Sequence, residues 1–418
     1  MLDVKKIREN KKEVEESLKK KLGEDAPIDL DKIIALDDSR KEIIPKLENL
    51  KAEKNKLSKV KPDPETIEKI KKTNIDLDSL ENDLSKIEID LKESLSALPN
   101  IVADDVVGGG KENNKVSYTF KNKPEFSFEP KNHVDLAEDL DIIDYKRAVK
   151  MSGSGFWLYK GEGALLEWAL LNYFISFHTK NNYTFIIPPF LLNEASAYAS
   201  GHLPKFGEDL FWLKEEKLCL NATSEMMLGN YHRDEVLNEN DLPFKYTAYS
   251  PCFRREAGSY RQEERGMIRG HQFNKVEMFQ YCHPEKSWDV FEEMKNQAKD
   301  LLEGLDLHFQ ISDLAAGDCS AAMAKTLDLE VYIPSMGIYK EVSSVSNALD
   351  YQARRGNIRF KAKDGKNYFP HTLNASGMAT SRLIPAILEQ NQQADGSVIL
   401  PEILHPFLPD NLTIIKKK

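Results

Sequence analysis

Cysteine is scarce in this chain: Cys219, Cys252, Cys282 and Cys319 are spread over its 418 residues with no Cys-x-x-Cys pair. That spacing argues against a disulfide framework and against a zinc ribbon, so no zinc is expected, and it suits a reducing compartment. A run of about 18 apolar residues is also missing, and the opening MLDVKKIRENKK places charge where a signal peptide needs an apolar stretch. A cytoplasmic protein with no membrane partner is expected. Positive charge does not predominate, since 58 Lys and Arg stand against 68 Asp and Glu for a formal net charge of −10. A generally basic nucleic-acid binder is excluded on those totals. Three common signatures are absent too. Gly108-Gly109-Gly110-Lys111 continues into Glu112 and forms no P-loop, Gly153-Ser154-Gly155 lacks the third glycine of a dinucleotide fingerprint, and no H-E-x-x-H occurs.

Aromatic residues are absent from residues 1 to 98, which leaves that segment without the material of an ordinary globular core. Its apolar residues recur at helical steps instead: Ile43, Leu47, Leu50 and Leu57, then Ile67, Ile70, Leu77, Leu80, Leu84, Ile87 and Leu91. Between the two runs, the prolines of Lys61-Pro62-Asp63-Pro64-Glu65 end one helix, and Asp63 can cap the next with Pro64 at its first position. The pattern predicts an antiparallel helical hairpin whose helices, roughly 28 residues each, would reach about 40 Å, with a bend at Pro45. Charge on the hairpin runs against the total. From Lys51 to Lys72, eight lysines face four acids, a local balance of +4, which fits either a solvated helical tip or an anion-binding one.

Leu98-Pro99 closes the second helix, the Gly108 to Gly110 run marks a turn, and aromatic residues return from Phe126. Short β-rich runs at Tyr183 to Ile187, Phe244 to Tyr249, Lys275 to Tyr281 and Leu329 to Ile333 alternate with longer helical patterns. An α+β class follows, with an antiparallel sheet flanked by helices. Candidate chemistry concentrates in Phe253-Arg254-Arg255-Glu256-Ala257-Gly258-Ser259, Arg265-Gly266 and His271-Gln272-Phe273-Asn274-Lys275-Val276-Glu277. Read as strand, loop and strand, this stretch places Arg254 and Glu256 on one face with Phe273 beside them. An arginine fork binds phosphate, a carboxylate accepts from an amine, and a phenyl face stacks on a purine, so the set describes a nucleotide site. A hairpin with surface ion pairs is the alternative that these residues alone leave open.

Residues 244 to 281, which contain that stretch, resemble motif 2 of the seryl-tRNA synthetases, a class II aminoacyl-tRNA synthetase family. The likeness extends along nearly the whole chain. MLDVKKIREN resembles the family's amino-terminal opening, the hairpin its long coiled-coil arm, and LPNI at 98 to 101 the junction after it. GEGALLEWALLNYFISFHTKNNYTFIIPPFLLN, 161 to 193, resembles motif 1 with its proline at Pro188 or Pro189. GHLPKFGEDLF, 201 to 211, is similar to a further family segment, while YKEVSSVSNALDYQARR, 339 to 355, and HTLNASGMATSRLIPAILE, 371 to 389, resemble the ATP-binding segment and motif 3.

The resemblance implies a tRNA-binding domain with its arm over 1–103, a catalytic domain over 104–418, and a homodimer formed through motif 1. It implies activation of L-serine by ATP to seryl-adenylate and transfer to tRNA(Ser), with tRNA(Sec) a further candidate acceptor. Arg254, Glu256 and Arg382 become the catalytic candidates, on the α-phosphate, near the adenine amine and toward the distal phosphates. Arg255, Phe273, Glu341, Val342, Ser343 and Ser344 complete the implied ATP site, with Phe273 stacking on the base and Glu341 and Ser344 as Mg²⁺ ligands. Thr223, Ser224, Glu225, Glu277 and Ser376 are the implied serine contacts, and Lys51, Lys54, Lys56, Lys59, Lys61 and Lys69 the implied tRNA contacts. The glycosylation-like triplets at Asn221 and Asn374 then become parts of the pocket. Ser224, Val345, Ala375 and Ser381 depart from the commonest family residues, and none of them removes a charged group. Two rival readings are an enzyme that charges a carrier protein and a non-catalytic coiled-coil paralogue. The long arm speaks against the first, and the intact Arg254, Glu256, Glu277, Glu341 and Arg382 against the second.

Overall fold

Asp63 accepts a hydrogen bond from the backbone of Thr66 at 2.7 Å, with Pro64 in the first turn that follows. The cap read from the sequence therefore starts a real helix. A computed structural model describes residues 1–59, 63–257 and 266–417. Lys61 and residues 258–265 of the motif 2 stretch lie outside them. The chain divides into two units, Met1–Ile101 and Val102–Lys418.

The described part of the first unit contains helices α1 (Val4–Glu9), α2 (Lys11–Leu22), α3 (Leu30–Leu57) and α4 (Pro64–Ala97). Six residues separate Leu57 from Pro64, a span of at most about 25 Å. That is too short to return along α3, whose 28 residues extend about 42 Å, so the packed pair α3 and α4 runs antiparallel. Leu47, Leu77 and Leu91 are buried, and most of the remaining seam residues are half-buried; Ile67, in the first turn of α4, is exposed. Pro45 lies inside α3, which continues through it as one helix. At the other end, Ile7, Val14, Leu18, Leu30 and Ile33 are buried, and Arg8 bonds Asp37 at 3.0 Å and Asp38 at 2.6 Å. Among the basic residues, Lys51 pairs with Glu81 at 2.7 Å and Lys69 with Glu65 at 2.8 Å, while Lys54 is half-buried and Lys56 and Lys59 are exposed.

The second unit is organised by an eight-stranded sheet among the described residues. Its strands are β1 (Lys115–Phe120), β2 (Thr184–Ile186), β3 (Phe244–Phe253), β4 (Gln272–Cys282), β5 (Phe309–Asp313), β6 (Lys325–Ile333), β7 (Ile338–Leu349) and β8 (His371–Ala379). They run β1-β5-β6-β7-β8-β4-β3-β2, antiparallel throughout except for the edge pair β2 and β3. Helices α5 (Glu162–Lys180), α6 (Ser287–Glu303) and α7 (Thr380–Gln390) bury Leu166, Phe174, Phe291, Leu301, Leu383 and Ile387 in the main core together with sheet residues such as Val276 and Leu329.

One irregularity matters for the site. Leu329 pairs with Ser343 and Glu330 with Glu341, so Val342 is an extra residue in β7. Positions three apart on a regular strand face opposite ways, but one bulged residue restores the phase and turns Glu341 and Ser344 to the same side. All four cysteines are free thiols and buried. Among the described residues, no helix is long and apolar enough to cross a membrane.

Candidate active site

The central strands of the sheet floor a cleft of ≈ 380 Å³, continuous with a smaller one through shared walls at Arg254, Glu256, Arg269, Lys275, Glu341 and Ser376. Register explains the convergence. Glu277 of β4 lies opposite Ala248 of β3 and Ser376 of β8, while Phe273, Lys275 and Glu277, two residues apart, share one face of β4. The 221–225 segment is pinned beside them by Asn221, whose amide donates to Ser250 Oγ at 3.0 Å and to the Pro251 carbonyl at 2.8 Å. Both Asn221 and Asn374 are buried, which leaves neither triplet available as a glycosylation acceptor.

One end of the cleft is acidic. Glu225 Oε1 accepts from Gln352 at 2.7 Å and from Asn374 at 3.0 Å, leaving Oε2 uncommitted among the described residues. Burial, and then the charge of Glu277, push its pKa up to about 7, with Lys275, Gln352 and Arg254 pulling the other way. Glu277 is likewise raised by burial, and is held by the ammonium of Lys275 and by the Thr223 hydroxyl at 3.2 Å. Lys275 also donates to Thr223 Oγ1 at 2.6 Å. Ser376 lines the same end. Two buried carboxylates share Lys275 here, and with Glu225 ionised this end is suited to a small cation bearing a hydroxyl. His202 lines this wall with Nδ1 3.0 Å from Ser200 Oγ, and burial, Arg254 and Lys275 push its pKa down to about 3, so the imidazole is neutral.

The other end is cationic. The Arg254 guanidinium sits 5.1 Å from the Phe273 ring centre, with its Nε donating to the Ala222 carbonyl at 3.3 Å. Arg269 pairs with Glu256 at 2.5 Å, and Arg382, in the first turn of α7, donates to the Glu341 carbonyl at 2.8 Å and to that of Ile268 at 3.2 Å. Fixed guanidinium groups around an aromatic face are suited to a purine nucleotide and its phosphates.

Not every expected residue enters the cleft. β3 ends at Phe253, so strand alternation does not bring Arg254 and Glu256 together. The chain turns after Arg254, and Glu256 takes a left-handed conformation at φ 53°, which aims both side chains into the same space. Arg255 instead reaches the Glu208 carbonyl at 3.3 Å, outside the cleft lining. Ser224 turns away to Ser250, 2.7 Å between hydroxyls, and Ser343 Oγ donates to the Ser376 carbonyl. Val342 contributes apolar wall. Sequence reasoning missed Lys275, although its place midway between Phe273 and Glu277 on one strand face was a usable signal. Arg269 and His202, which line the cleft, and Gln352, which lies behind Glu225, carried none, because tertiary packing places them.

Family models match both parts of the chain: the seryl-tRNA synthetase N-terminal domain over residues 1–102, and the tRNA synthetase class II core domain (G, H, P, S and T) over 211–391. The serine–tRNA ligase 2 of Clostridium acetobutylicum is 50% identical over 98% of this chain and 99% of its own length. Among solved structures, the seryl-tRNA synthetase of Pyrococcus horikoshii complexed with ATP superposes with a TM-score of 0.89 at 33% identity, covering 100% of both chains. The cytoplasmic serine–tRNA ligase of Naegleria fowleri in complex with AMP gives 0.87 at 28% identity, over 100% of this chain and 99% of that one. With a cleft that is acidic at one end and cationic at the other, on a class II antiparallel sheet, and with full-length relatives of one activity, the chain belongs to the seryl-tRNA synthetase family and is a serine–tRNA ligase.

Proposed function

We propose that serine lies at the acidic end with its ammonium group on Glu225 and Glu277 and its hydroxyl among Thr223 and Ser376, and that ATP lies along Arg254, Phe273 and Arg382. The observation that carries this reading is the uncommitted Oε2 of Glu225 in the same cleft as the Arg254 guanidinium. The serine carboxylate attacks the α-phosphorus, the bond to the bridging oxygen breaks, and pyrophosphate leaves. A carboxylate is already ionised, so no side chain need act as base, and Arg254 and Arg382 stabilise the charge that builds on the phosphates. A hydroxyl of the terminal adenosine of tRNA(Ser) then attacks the carbonyl carbon of the adenylate and AMP leaves. Lysines of the α3–α4 hairpin supply the tRNA contacts, within an amino-terminal tRNA-binding domain over 1–103 and an aminoacylation domain over 104–418. The four free, buried thiols accord with a cytoplasmic setting.

A Mg²⁺ ion fits the donors at β7. The bulge turns the Glu341 carboxylate and the Ser344 hydroxyl to one face, and Asp328, opposite Ser344 on β6, has a buried Oδ1 with no hydrogen-bond partner among the described residues. Among those residues, no group of three His, Cys, Asp or Glu side chains is placed to hold a metal alone, which fits an ion that takes one or two carboxylate ligands and fills its shell with phosphate oxygens and water. Bound there, it would neutralise phosphate charge.

Serine-dependent ATP–pyrophosphate exchange followed by charging of tRNA(Ser) tests the whole reading. Both reactions are expected, with alanine rejected because it leaves the hydroxyl partners unpaired and threonine excluded by size. Exchange without tRNA charging would point to a carrier-protein acceptor, and no exchange would overturn the site assignment.

A further inference from the structure

Behind the cationic end of the cleft, the side chain of Glu167 is buried where three elements meet. It belongs to α5, and its Oε1 accepts from Asn274 Nδ2 at 2.7 Å and from the Thr380 hydroxyl at 2.8 Å. Thr380 Oγ1 also lies 3.2 Å from the Asn274 carbonyl, which closes a ring of three residues from α5, β4 and α7. None of the three lines the cleft.

Each partner stands next to a residue that does. Asn274 lies between Phe273 and Lys275 on β4 and faces the opposite side from them, as strand alternation requires. Thr380 is the first residue of α7, two positions before Arg382. The start of that helix has little of its own to hold it: Ala379 at the N-cap makes no side-chain cap, and Met378 before it sits at φ 127°. The Thr380 hydroxyl, tied to Glu167 and to the Asn274 carbonyl, tethers this turn from its first residue, while the Arg382 guanidinium itself reaches the Ile268 and Glu341 carbonyls. Glu167 Oε2 and the hydroxyl of Tyr159 are both buried close to one another. Burial raises the Glu167 carboxyl to about 7, against the pull of Asn274, Thr380 and Tyr159, so the group is readily neutral in place.

We infer that Glu167 is a positioning residue for the ATP half of the site, fixing the first turn of α7, and with it Arg382, against the strand that carries Phe273 and Lys275. It touches no substrate. The inference rests on the reading of Arg382 as a phosphate-binding group.

The test is ATP–pyrophosphate exchange with full-length variants whose fold is checked by circular dichroism and thermal melting. Glu167→Ala should lower kcat/KM for ATP about tenfold or more, because small misplacements of a charge-stabilising group are costly, while KM for serine stays within about twofold. Glu167→Gln keeps an acceptor oxygen for Asn274 and Thr380 and needs no proton, so it should remain within about threefold of the parent enzyme. Thr380→Val removes one arm of the ring at constant volume and should lose about three- to tenfold toward ATP alone. If Glu167→Ala does not fold, Thr380→Val carries the test. Unchanged ATP kinetics in the folded variants, equal losses toward ATP and serine, or a Glu167→Gln variant no better than Glu167→Ala would overturn the inference. Arg382→Ala separates the two readings. If it leaves ATP kinetics intact, the phosphate assignment fails; if it is impaired while Glu167→Ala and Thr380→Val are not, the positioning role alone fails.

Discussion

The proposed serine site places two opposed demands on Glu225. Its burial beside Glu277 favours the protonated acid, with a pKa pushed to about 7, whereas holding an ammonium group requires the anion. Because the folded protein holds this proton more tightly than the unfolded chain, Glu225 favours the folded state at low pH, and that contribution is lost as pH rises through about 7. Function runs the other way: kcat/KM for serine in pyrophosphate exchange is expected to climb between about pH 6 and 8 as the carboxylate forms. Glu225→Gln should abolish the climb and lower kcat/KM on the order of 100-fold, the loss of a charge-assisted hydrogen bond of about 3 kcal/mol. A flat profile for the parent enzyme would remove Glu225 from ammonium binding. Lys275 makes a complementary prediction for stability. It is the cation paired with buried Glu277, and Lys275→Met leaves that carboxylate unpaired, at a cost of about 3–5 kcal/mol in urea unfolding. Adding Glu277→Gln should recover most of it, since the lone buried charge, rather than lost packing, is the cause.

At the scale of elements, local signals decide where helices begin and strand alternation decides which side chains share a face. Asp63 illustrates the first: Asp63→Ala removes the acceptor of the Thr66 amide, and should cost about 1 kcal/mol and accelerate hydrogen exchange at Thr66 in the first turn of α4. An unchanged exchange rate would mean that packing alone holds that end. Such starts, the hairpin seam and the main strands were legible in the sequence, because each depends on residues within a few positions of one another. The cleft was legible only in part. Arg254, Glu256, Glu277, Glu341 and Arg382 came from motif resemblance, but the physical picture of Arg254 and Glu256 on one strand failed, because a left-handed residue at Glu256, not alternation, orients the pair. No short-range pattern announces that conformation, nor the extra residue at Val342 that turns Glu341 and Ser344 the same way. Gln352 and Asn374 reach Glu225 from 127 and 149 residues away, so the setting of that carboxylate belongs to tertiary structure.

On the whole molecule, two surfaces carry predictions. Leu165 and Trp168, three apart on α5, and Ile187 after β2 are exposed apolar groups, with Trp168 54% accessible. They fit the homodimer face expected of motif 1: the parent chain is expected to sediment as a dimer, and Trp168→Glu to yield monomers in sedimentation velocity. The second surface concerns a chain whose net charge is −10 and which must bind a polyanion. Its acidic remainder repels nucleic acid in general, so binding has to be concentrated where cations are free. Lys51 and Lys69 form ion pairs with Glu81 and Glu65, whereas half-buried Lys54 acts on Glu81 only at longer range and Lys56 and Lys59 are exposed. Reversing those three with Lys54→Glu, Lys56→Glu and Lys59→Glu should leave serine-dependent pyrophosphate exchange within about twofold, since adenylate chemistry lies in the other unit. KM for tRNA(Ser) should rise, and the slope of log affinity against log salt should flatten by roughly 2 to 3, one counterion for each phosphate no longer neutralised. An unchanged salt slope in the triple variant would take tRNA binding away from this end of the hairpin, whatever happened to the charging rate.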